Sequence, residues 1–353
     1  MENRSDSVVQ AAGRSRGWLT PLIAALLLGA GLLVSVAMGP ADVPVTPMQA
    51  VRVVAYHALG RGPEPPLEVD AIVWQVRLPR ALCGAMVGML LGAAGVALQG
   101  LLMNPLADPY TVGVSAGAAV GAATAEVLGF GGILMGLGAV APAFAAALGA
   151  VALVYALARV NGRVAVHTFL LAGVVVGTLL WSLIPLLMVL GHRGDDLQRI
   201  YFYLVGNLQS TDWLRASLLT PFCVICWALL RLWAAELNLM ALGEETAHHL
   251  GVDTERFKRK VLLVGSLATA AAVSVSGIIG FVGLVVPHIA RRLTGPDHGR
   301  LLPVAAMLGA GLVLASDTLV RVWLNDLPVG IVTSIVGAPI FCLLLRARRG
   351  VAW

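Results

Sequence analysis

Charged side chains are scarce in this sequence. They make up 12% of its 353 residues, whereas 58% are hydrophobic and the mean hydropathy is +0.87. A water-soluble domain carries about a quarter charged residues, so the composition excludes an ordinary soluble enzyme, a disordered chain and a nucleic-acid-binding protein that works through a basic surface. The sequence predicts an all-α polytopic membrane protein, and its 40 Gly and 18 Pro fit closely packed, interrupted membrane helices.

Lysine is nearly absent, which excludes one kind of energy source. The two lysines, Lys258 and Lys260, follow Phe257 and Arg259. A phosphate-binding loop needs Gly-Lys-Ser/Thr, so the chain has no such ATPase site of its own. Any ATP hydrolysis, with its Mg²⁺, is expected on a separate subunit, and this chain is expected to bind neither a cofactor nor a metal.

Ionisable groups at membrane depth are also few, although ion-driven transporters and intramembrane enzymes need them. Asp317 is followed at i+4 by Arg321, which favours a self-paired couple over a proton relay. Cys223 and Cys226 have no Cys or His partner in the same apolar run and are interpreted as small core residues. An ATP-independent secondary transporter or channel stays open as an alternative class.

Ten apolar runs follow one another along the chain, and a helix needs about 20 such residues to cross the bilayer core. The eighth run is short because Pro287 and Arg291 interrupt it. Residues 39–77 hold six prolines and mixed charges, which predicts a long periplasmic or external loop, and residues 1–18 are expected to form a cytoplasmic N-terminal tail. Residues 1–353 are therefore expected to form one transmembrane domain with spans near 19–38, 81–102, 111–128, 138–158, 164–190, 214–235, 261–279, 281–293, 301–323 and 328–346.

The distribution of basic residues predicts the orientation. With the N-terminus inside, 16 Lys and Arg fall in cytoplasmic segments and eight in outer segments, so both termini are expected in the cytoplasm. The one substantial cytoplasmic segment is 237–260. Within it, residues 241–251 predict a short helix closed by a glycine. Periodicity alone leaves open whether this helix rests on the membrane surface or docks in a partner's groove.

Five motifs occur in a fixed order along the chain. They are Arg77-Leu-Pro-Arg80, Asn104-Pro-Leu-Ala-Asp-Pro109, Leu239-Met-Ala-Leu-Gly-Glu244, Gly277-Ile-Ile-Gly-Phe-Val-Gly-Leu-Val-Val-Pro-His288 and Leu327-Pro-Val-Gly-Ile-Val-Thr-Ser-Ile-Val-Gly-Ala-Pro339. Each is weak alone, but together they resemble the permease subunit of ABC importers for iron–siderophore complexes, haem and vitamin B12 (type II importers). The resemblance runs from about residue 20 to 346.

The resemblance implies a complete transport assembly in a bacterial cytoplasmic membrane. Two permease copies of about ten helices each would enclose a path along their shared axis, and two cytoplasmic ATP-binding subunits would drive it. A periplasmic or lipid-anchored binding protein would dock on the outer face, membrane lipids would surround the permeases, and no nucleic acid is expected. The expected cargo is a bulky metal chelate, an iron–siderophore or haem, with cobalamin as the alternative.

The same resemblance implies a docking surface at the outer side. Arg77, Arg80 and Arg321 match positions that pair with carboxylates of the binding protein. A guanidinium fork suits such a contact because it holds a carboxylate bidentately. The alternative is that Arg77 and Arg80 anchor a helix end and that Arg321 neutralises Asp317.

Two further sites are implied at the cytoplasmic side. Asn104 and Leu106 match a loop that constricts the path, with a plain turn as the alternative. The segment 163–168 lacks the hydroxyl pair expected of a second gate, so the resemblance assigns no second gate residues. The segment 237–260 matches the helices that sit on the ATP-binding subunit, through Leu242, Gly243, Glu244, Glu245, Ala247, Leu250 and Gly251.

Overall fold

This computed structural model describes residues 19–39, 45–60, 63–130, 137–160, 163–191 and 194–347, so the predicted tail 1–18 lies outside the described residues. Nearly all of the described chain is helical. A two-residue antiparallel β-pair, β1 (Arg159–Val160) and β2 (Arg163–Val164), joins two of the helices. The helices are α1 (Leu19–Ala37), α2 (Pro47–Leu59), α3 (Leu67–Asp70), α4 (Leu78–Leu101), α5 (Val114–Val127), α6 (Val140–Ala158), α7 (Val166–Leu190), α8 (Gly194–Val205), α9 (Trp213–Leu232), α10 (Ala234–Met240), α11 (Glu244–His249), α12 (Thr254–Ser276), α13 (Val282–Thr294), α14 (His298–Trp323) and α15 (Val329–Ala347).

Ten of these helices lie on the ten predicted spans: α1, α4, α5, α6, α7, α9, α12, α13, α14 and α15. Within the described ranges, seven helical stretches are long and apolar enough to cross a membrane. The other three spans are shorter, with 14 residues in α5, 13 in α13 and an apolar stretch over 329–344 in α15. The prediction of an all-α polytopic membrane protein is confirmed.

The segment 39–77, predicted as a loop, contains helices instead. Two of its prolines, Pro47 and Pro66, stand at helix starts, where the missing N–H costs nothing. Pro47 opens α2, and Thr46 and Gln49 form a capping box in front of it, with Thr46 N–H donating to Gln49 Oε1 at 2.8 Å. Pro66 directly precedes α3, and the helical stretch that contains α4 begins there, at Leu67, eleven positions before α4 itself begins at Leu78.

A π-helical turn connects α3 to α4. Residues Ala71–Arg77 are π-helical, and the N–H of Leu78 donates to the carbonyl of Val73. Pro79 follows and has no N–H to donate, so the regular pattern is interrupted at this point without ending the helix. The result is one continuous helical stretch of 35 residues, Leu67–Leu101.

Helix α4 forms the centre of the core, where small residues permit close approach. A Cβ on Gly88 would collide with the backbone of Gly309 in α14, and one on Gly95 with that of Gly283 in α13. The directions of the helices define two ends of the molecule, named here after Arg80 and Glu244. At the Arg80 end, α1 and α14 finish and α4 begins. At the Glu244 end lie α10, α11 and the starts of α12 and α14.

Candidate functional site

Three arginines converge at the Arg80 end, and all are buried: Arg77 is 4%, Arg80 5% and Arg321 7% exposed. Arg80 is central. Its Nε donates to Asp317 Oδ1 at 2.8 Å, while Nη1 and Nη2 donate to the two carboxylate oxygens of Asp326 at 3.1 and 2.6 Å. This bidentate geometry is the strong form of an arginine–carboxylate contact, and it ties α4 to α14 and to the turn after it.

The other two arginines bind the last turn of α1. Arg321 Nη2 donates to the carbonyl of Ser35 at 2.6 Å, and Arg77 Nη1 donates to the carbonyl of Ala37 at 2.7 Å. Cations at a helix C-terminus satisfy carbonyls that have no partner within the helix. The predicted Asp317–Arg321 couple exists at 3.7 Å, although Arg80 lies closer to Asp317.

This arrangement differs from the exposed docking surface expected of these arginines. Each guanidinium is hydrogen-bonded within the chain, as in the alternative in which they anchor helix ends. A partner's carboxylate could reach Arg80 only by replacing Asp326, whose side chain is 35% exposed. Asp326 and Asn325 have φ angles of 58° and 49°, which Asp and Asn tolerate better than most residues. The docking role of the three arginines stays a prediction.

The predicted gate loop follows α4 at the Glu244 end. Asn104 Oδ1 accepts the N–H of Leu106 at 2.9 Å, which closes a local Asx turn. Leu106 itself is 47% exposed. Asp108 then caps a 3₁₀ turn, Pro109–Val112, by accepting the N–H of Tyr110 at 3.0 Å. The amide of Asn104 therefore orders the loop, and an apolar side chain is displayed on it.

The segment predicted to contact an ATP-binding subunit forms α10 and α11. The predicted short helix is present as Glu244–His249, and left-handed glycines bound it, Gly243 with φ 110° and Gly251 with φ 93°. Ala247 is fully buried, whereas Leu242 and Leu250 are 64% and 57% exposed. The predicted apolar edge is therefore divided, because Ala247 anchors the helix and the two leucines remain on the surface. Glu245 is exposed beside them.

Polar contacts of two residues, Lys258 and Asn238, attach this segment to the rest of the chain. Lys258 Nζ donates to Glu244 Oε1 at 2.7 Å. Asn238 Nδ2 donates to Asp297 Oδ1 at 2.7 Å, and Asn238 Oδ1 accepts the backbone N–H of His298 at 2.9 Å. The first contact joins α11 to α12, and the second joins α10 to the start of α14. The segment is thus fixed to two spanning helices.

Comparison with known proteins assigns this chain to a family. The model of the FecCD transport family matches residues 25–347. The chain belongs to the FecCD transport family. It is 40% identical to the cobalamin import system permease protein of Halobacterium salinarum over 96% of this chain and 98% of that one. It is 38% identical to the hemin transport system permease protein of Yersinia pestis, over 78% and 84% of the two chains.

A solved structure agrees with this assignment. A metal-chelate type ABC transporter in an inward-facing conformation superposes with a TM-score of 0.80 at 29% identity, over 93% of this chain and 98% of that one. The protein is therefore a permease of the ABC importers that carry metal chelates, haem and vitamin B12, and the family expected from the motifs is confirmed. Its relatives are the permease proteins of import and transport systems.

The sequence did not predict the structural roles of three residues of the permease: Asp326, Lys258 and Asn238. Asp326 and Lys258 make contacts with residues far away in the chain, with 246 positions between Asp326 and Arg80. One local signal existed for Lys258, since Glu255 stands three positions before it on the same helix face. Asn238 carried no signal beyond its place in the segment 237–260.

A cavity of about 370 Å³ opens at the Arg80 end of the permease, between α5, α8, α9 and α12. Its wall includes the ion pair between Arg199 Nη1 and Glu126 Oε2, at 3.3 Å. Gln209 also lines it and donates to the carbonyl of Asp326. The cavity is therefore connected through Gln209 to the turn that holds Arg80. Among the described residues, no three His, Cys, Asp or Glu side chains lie close enough to bind a metal ion.

Proposed function

We propose that this permease forms a homodimer which, with two ATP-binding subunits and a binding protein, imports a bulky metal chelate through the path between its copies. The Glu244 end faces the cytoplasm and the Arg80 end faces outward. The excess of basic residues in the segments assigned to the cytoplasm supports this orientation. The bacterial cytoplasmic membrane is the proposed location, with both termini in the cytoplasm.

The observation that carries the proposal is the shape of the α10–α11 segment. It presents two exposed leucines, Leu242 and Leu250, on a short helix whose opposite side is anchored by Ala247. Apolar side chains on a small helix fit the groove of a partner protein. The hydrogen bonds of Lys258 and Asn238 hold the segment on the body of the permease, so a force applied to it reaches the spanning helices.

The two other predicted sites keep their proposed roles. At the Arg80 end, a carboxylate of the binding protein replaces Asp326 on Arg80. Arg321 would join this contact only if docking opened the cluster, because its Nε and Nη1 have no hydrogen-bond partner among the described residues but are buried beside Asp317. At the other end, Asn104 orders the loop and Leu106 narrows the path, which its exposure makes possible.

Cobalamin ranks first among the proposed cargoes, ahead of haem and the iron–siderophores that the sequence alone favoured. The cobalamin relative matches along 96% of this chain, whereas the hemin relative matches along 78%. All three are bulky metal chelates. The permease displays few ionisable groups that could distinguish among them, so the binding protein selects the cargo.

The test is uptake by proteoliposomes that contain the permease with its own ATP-binding subunit and binding protein. With ATP at the cytoplasmic side, labelled cobalamin should accumulate, and haemin or ferric siderophore should accumulate less. Uptake of an iron chelate without cobalamin would reverse the ranking. Equal uptake by vesicles that contain the permease alone would favour the ATP-independent transporter or channel instead.

A further inference from the structure

Lys258 lies where three parts of the Glu244 end meet. Its side chain is 4% exposed, and its Nζ contacts Glu244 Oε1 at 2.7 Å, the carboxylate of Glu255, and the carbonyl of Val164 at 3.1 Å. An ammonium group has three protons to donate. Here the three acceptors belong to α11, to α12 itself and to β2, which is part of the turn between α6 and α7.

The turn is held at both of its polar backbone groups. The carbonyl of Val164 accepts a hydrogen bond from Lys258 Nζ, and its N–H donates to Glu255 Oε2, each at 3.1 Å. Lys258 and Glu255 therefore clamp one residue of the turn from the same face of α12. Helix α7 begins two residues later, at Val166, so displacement of Val164 displaces the first turn of a spanning helix.

Burial makes this junction stiff. A charge taken out of water is tolerated only when its partners stay in place. Separation of Glu244 from Lys258 would leave the ammonium buried with one fewer carboxylate. When α11 moves, Lys258 is therefore expected to move with it, because breaking the contact costs more. The α10 attachment through Asn238 leads to α14 instead.

We propose that Lys258 is the positioning residue that transmits movement of α11 to the α6–α7 turn and to the start of α7. This inference rests on the proposed function, in which an ATP-binding subunit moves the α10–α11 segment. In it, closure of the ATP-binding subunits changes the path at the Glu244 end through Lys258 and Val164.

The decisive variant is Lys258→Met in the complete transporter, because methionine keeps the apolar length and loses the charge and the three hydrogen bonds. We expect the ATP-binding subunit to bind and hydrolyse ATP at the wild-type rate, while cargo transported per ATP falls at least tenfold. The matched control is Lys260→Met, two positions along the same helix, where Lys260 is exposed and contacts the Trp233 ring at 5.9 Å. The control should keep the wild-type ratio.

A distance measurement separates transmission from a merely structural role. Spin labels at His249 in α11 and His167 in α7 should keep a constant separation when ATP and vanadate close the wild-type complex, because both move together. In Lys258→Met, the separation should change on closure. If that variant does not assemble, Glu244→Gln removes one arm and leaves Glu255 in place.

An unchanged transport-to-ATP ratio in Lys258→Met would overturn the inference. So would a constant label separation in that variant, or a loss of transport that is fully explained by lost binding of the ATP-binding subunit. Failure of the proposed function is recognised separately, because then the wild-type permease would neither bind that subunit nor accumulate cargo with ATP.

Discussion

Both ends of the permease bury charged side chains, but basic residues are in excess at one end and acidic residues at the other. At the Arg80 end, three arginines outnumber two aspartates. One bidentate fork, from Arg80 to Asp326, and guanidinium hydrogen bonds to the last turn of α1 join the ends of α1, α4 and α14. At the Glu244 end, one lysine meets two glutamates beside an exposed helix. Arg fixes geometry through its planar fork, whereas Lys acts as a compact point charge.

This difference teaches how one fold can be rigid at one end and responsive at the other. The arginine cluster locks helix ends to one another, and its one accessible member is the carboxylate of Asp326. The Lys258 cluster joins a surface helix to the body, and its accessible member is Glu244, 42% exposed. Each cluster thus has one acidic residue at which a partner protein could act.

The largest effect should come from Asp317, which is 1% exposed between Arg80 and Arg321. Asp317→Asn keeps the shape and leaves two buried guanidinium groups with less compensation, which costs about 3–5 kcal/mol of stability when a buried pair is broken. Thermal unfolding in detergent should show a large loss. Asp326→Asn is the control and should lose much less, because Asp326 is partly exposed. Equal losses would mean that burial does not distinguish the two carboxylates.

The second prediction concerns Leu242 and Leu250. A glutamate at either position should weaken binding of the ATP-binding subunit by about 2 kcal/mol, roughly 30-fold, because a charge would replace an apolar contact. Titration of the purified permease with that subunit measures it, and the permease should unfold at its usual temperature. Leu59→Glu is the matched control, since Leu59 is 69% exposed on α2. Weaker binding of the ATP-binding subunit to the Leu59→Glu variant would contradict the prediction that this subunit binds only the Glu244 end.

These two predictions depend on different amounts of sequence information. The ten spans could be predicted because a bilayer demands long apolar runs. The end of α11 could be predicted because Gly251 closes it, whereas its start at Glu244, after Gly243, could not. The pairing of Asp317 with Arg321 followed from i+4 spacing. Helix α2 was missed because the prolines of 39–77 suggested a loop, although Thr46, Pro47 and Gln49 form a recognisable helix start.

The clusters themselves could not be predicted. Arg80 meets Asp326 across 246 positions, and Lys258 meets Val164 across 94. Neither separation leaves a periodic signal, because the contacts depend on how helices pack. The burial of Arg77, Arg80 and Arg321 was missed for the same reason. An arginine at a predicted helix end suggests exposure, and only the position of α1 shows that it is covered.

A smaller effect is expected at Asn238, the second attachment of the α10–α11 segment. Asn238→Ala removes the bonds to Asp297 and to the N–H of His298, which should cost about 1.5 kcal/mol. Hydrogen exchange should accelerate in α10 and the start of α14, and transport per ATP should fall less than in Lys258→Met. A larger fall in transport would give Asn238 the transmitting role.

The smallest effect should come from the cap of α2 at the Arg80 end. Thr46→Ala removes the hydroxyl that accepts the N–H of Gln49, a contact worth about 1 kcal/mol. Exchange should accelerate in the first turn of α2, with ATP hydrolysis unchanged. The conservative Thr46→Ser variant should restore protection. An effect on ATP hydrolysis would show that the two ends communicate through α2.

The central claim is that the two ends of this permease meet different partners. Hydrogen–deuterium exchange of the purified permease measures this directly, because each partner can be added to it alone. The ATP-binding subunit should slow exchange over 241–251, and the binding protein should slow it over 324–328. Protection of 324–328 by the ATP-binding subunit, or unchanged exchange over 241–251 when it binds, would contradict the account.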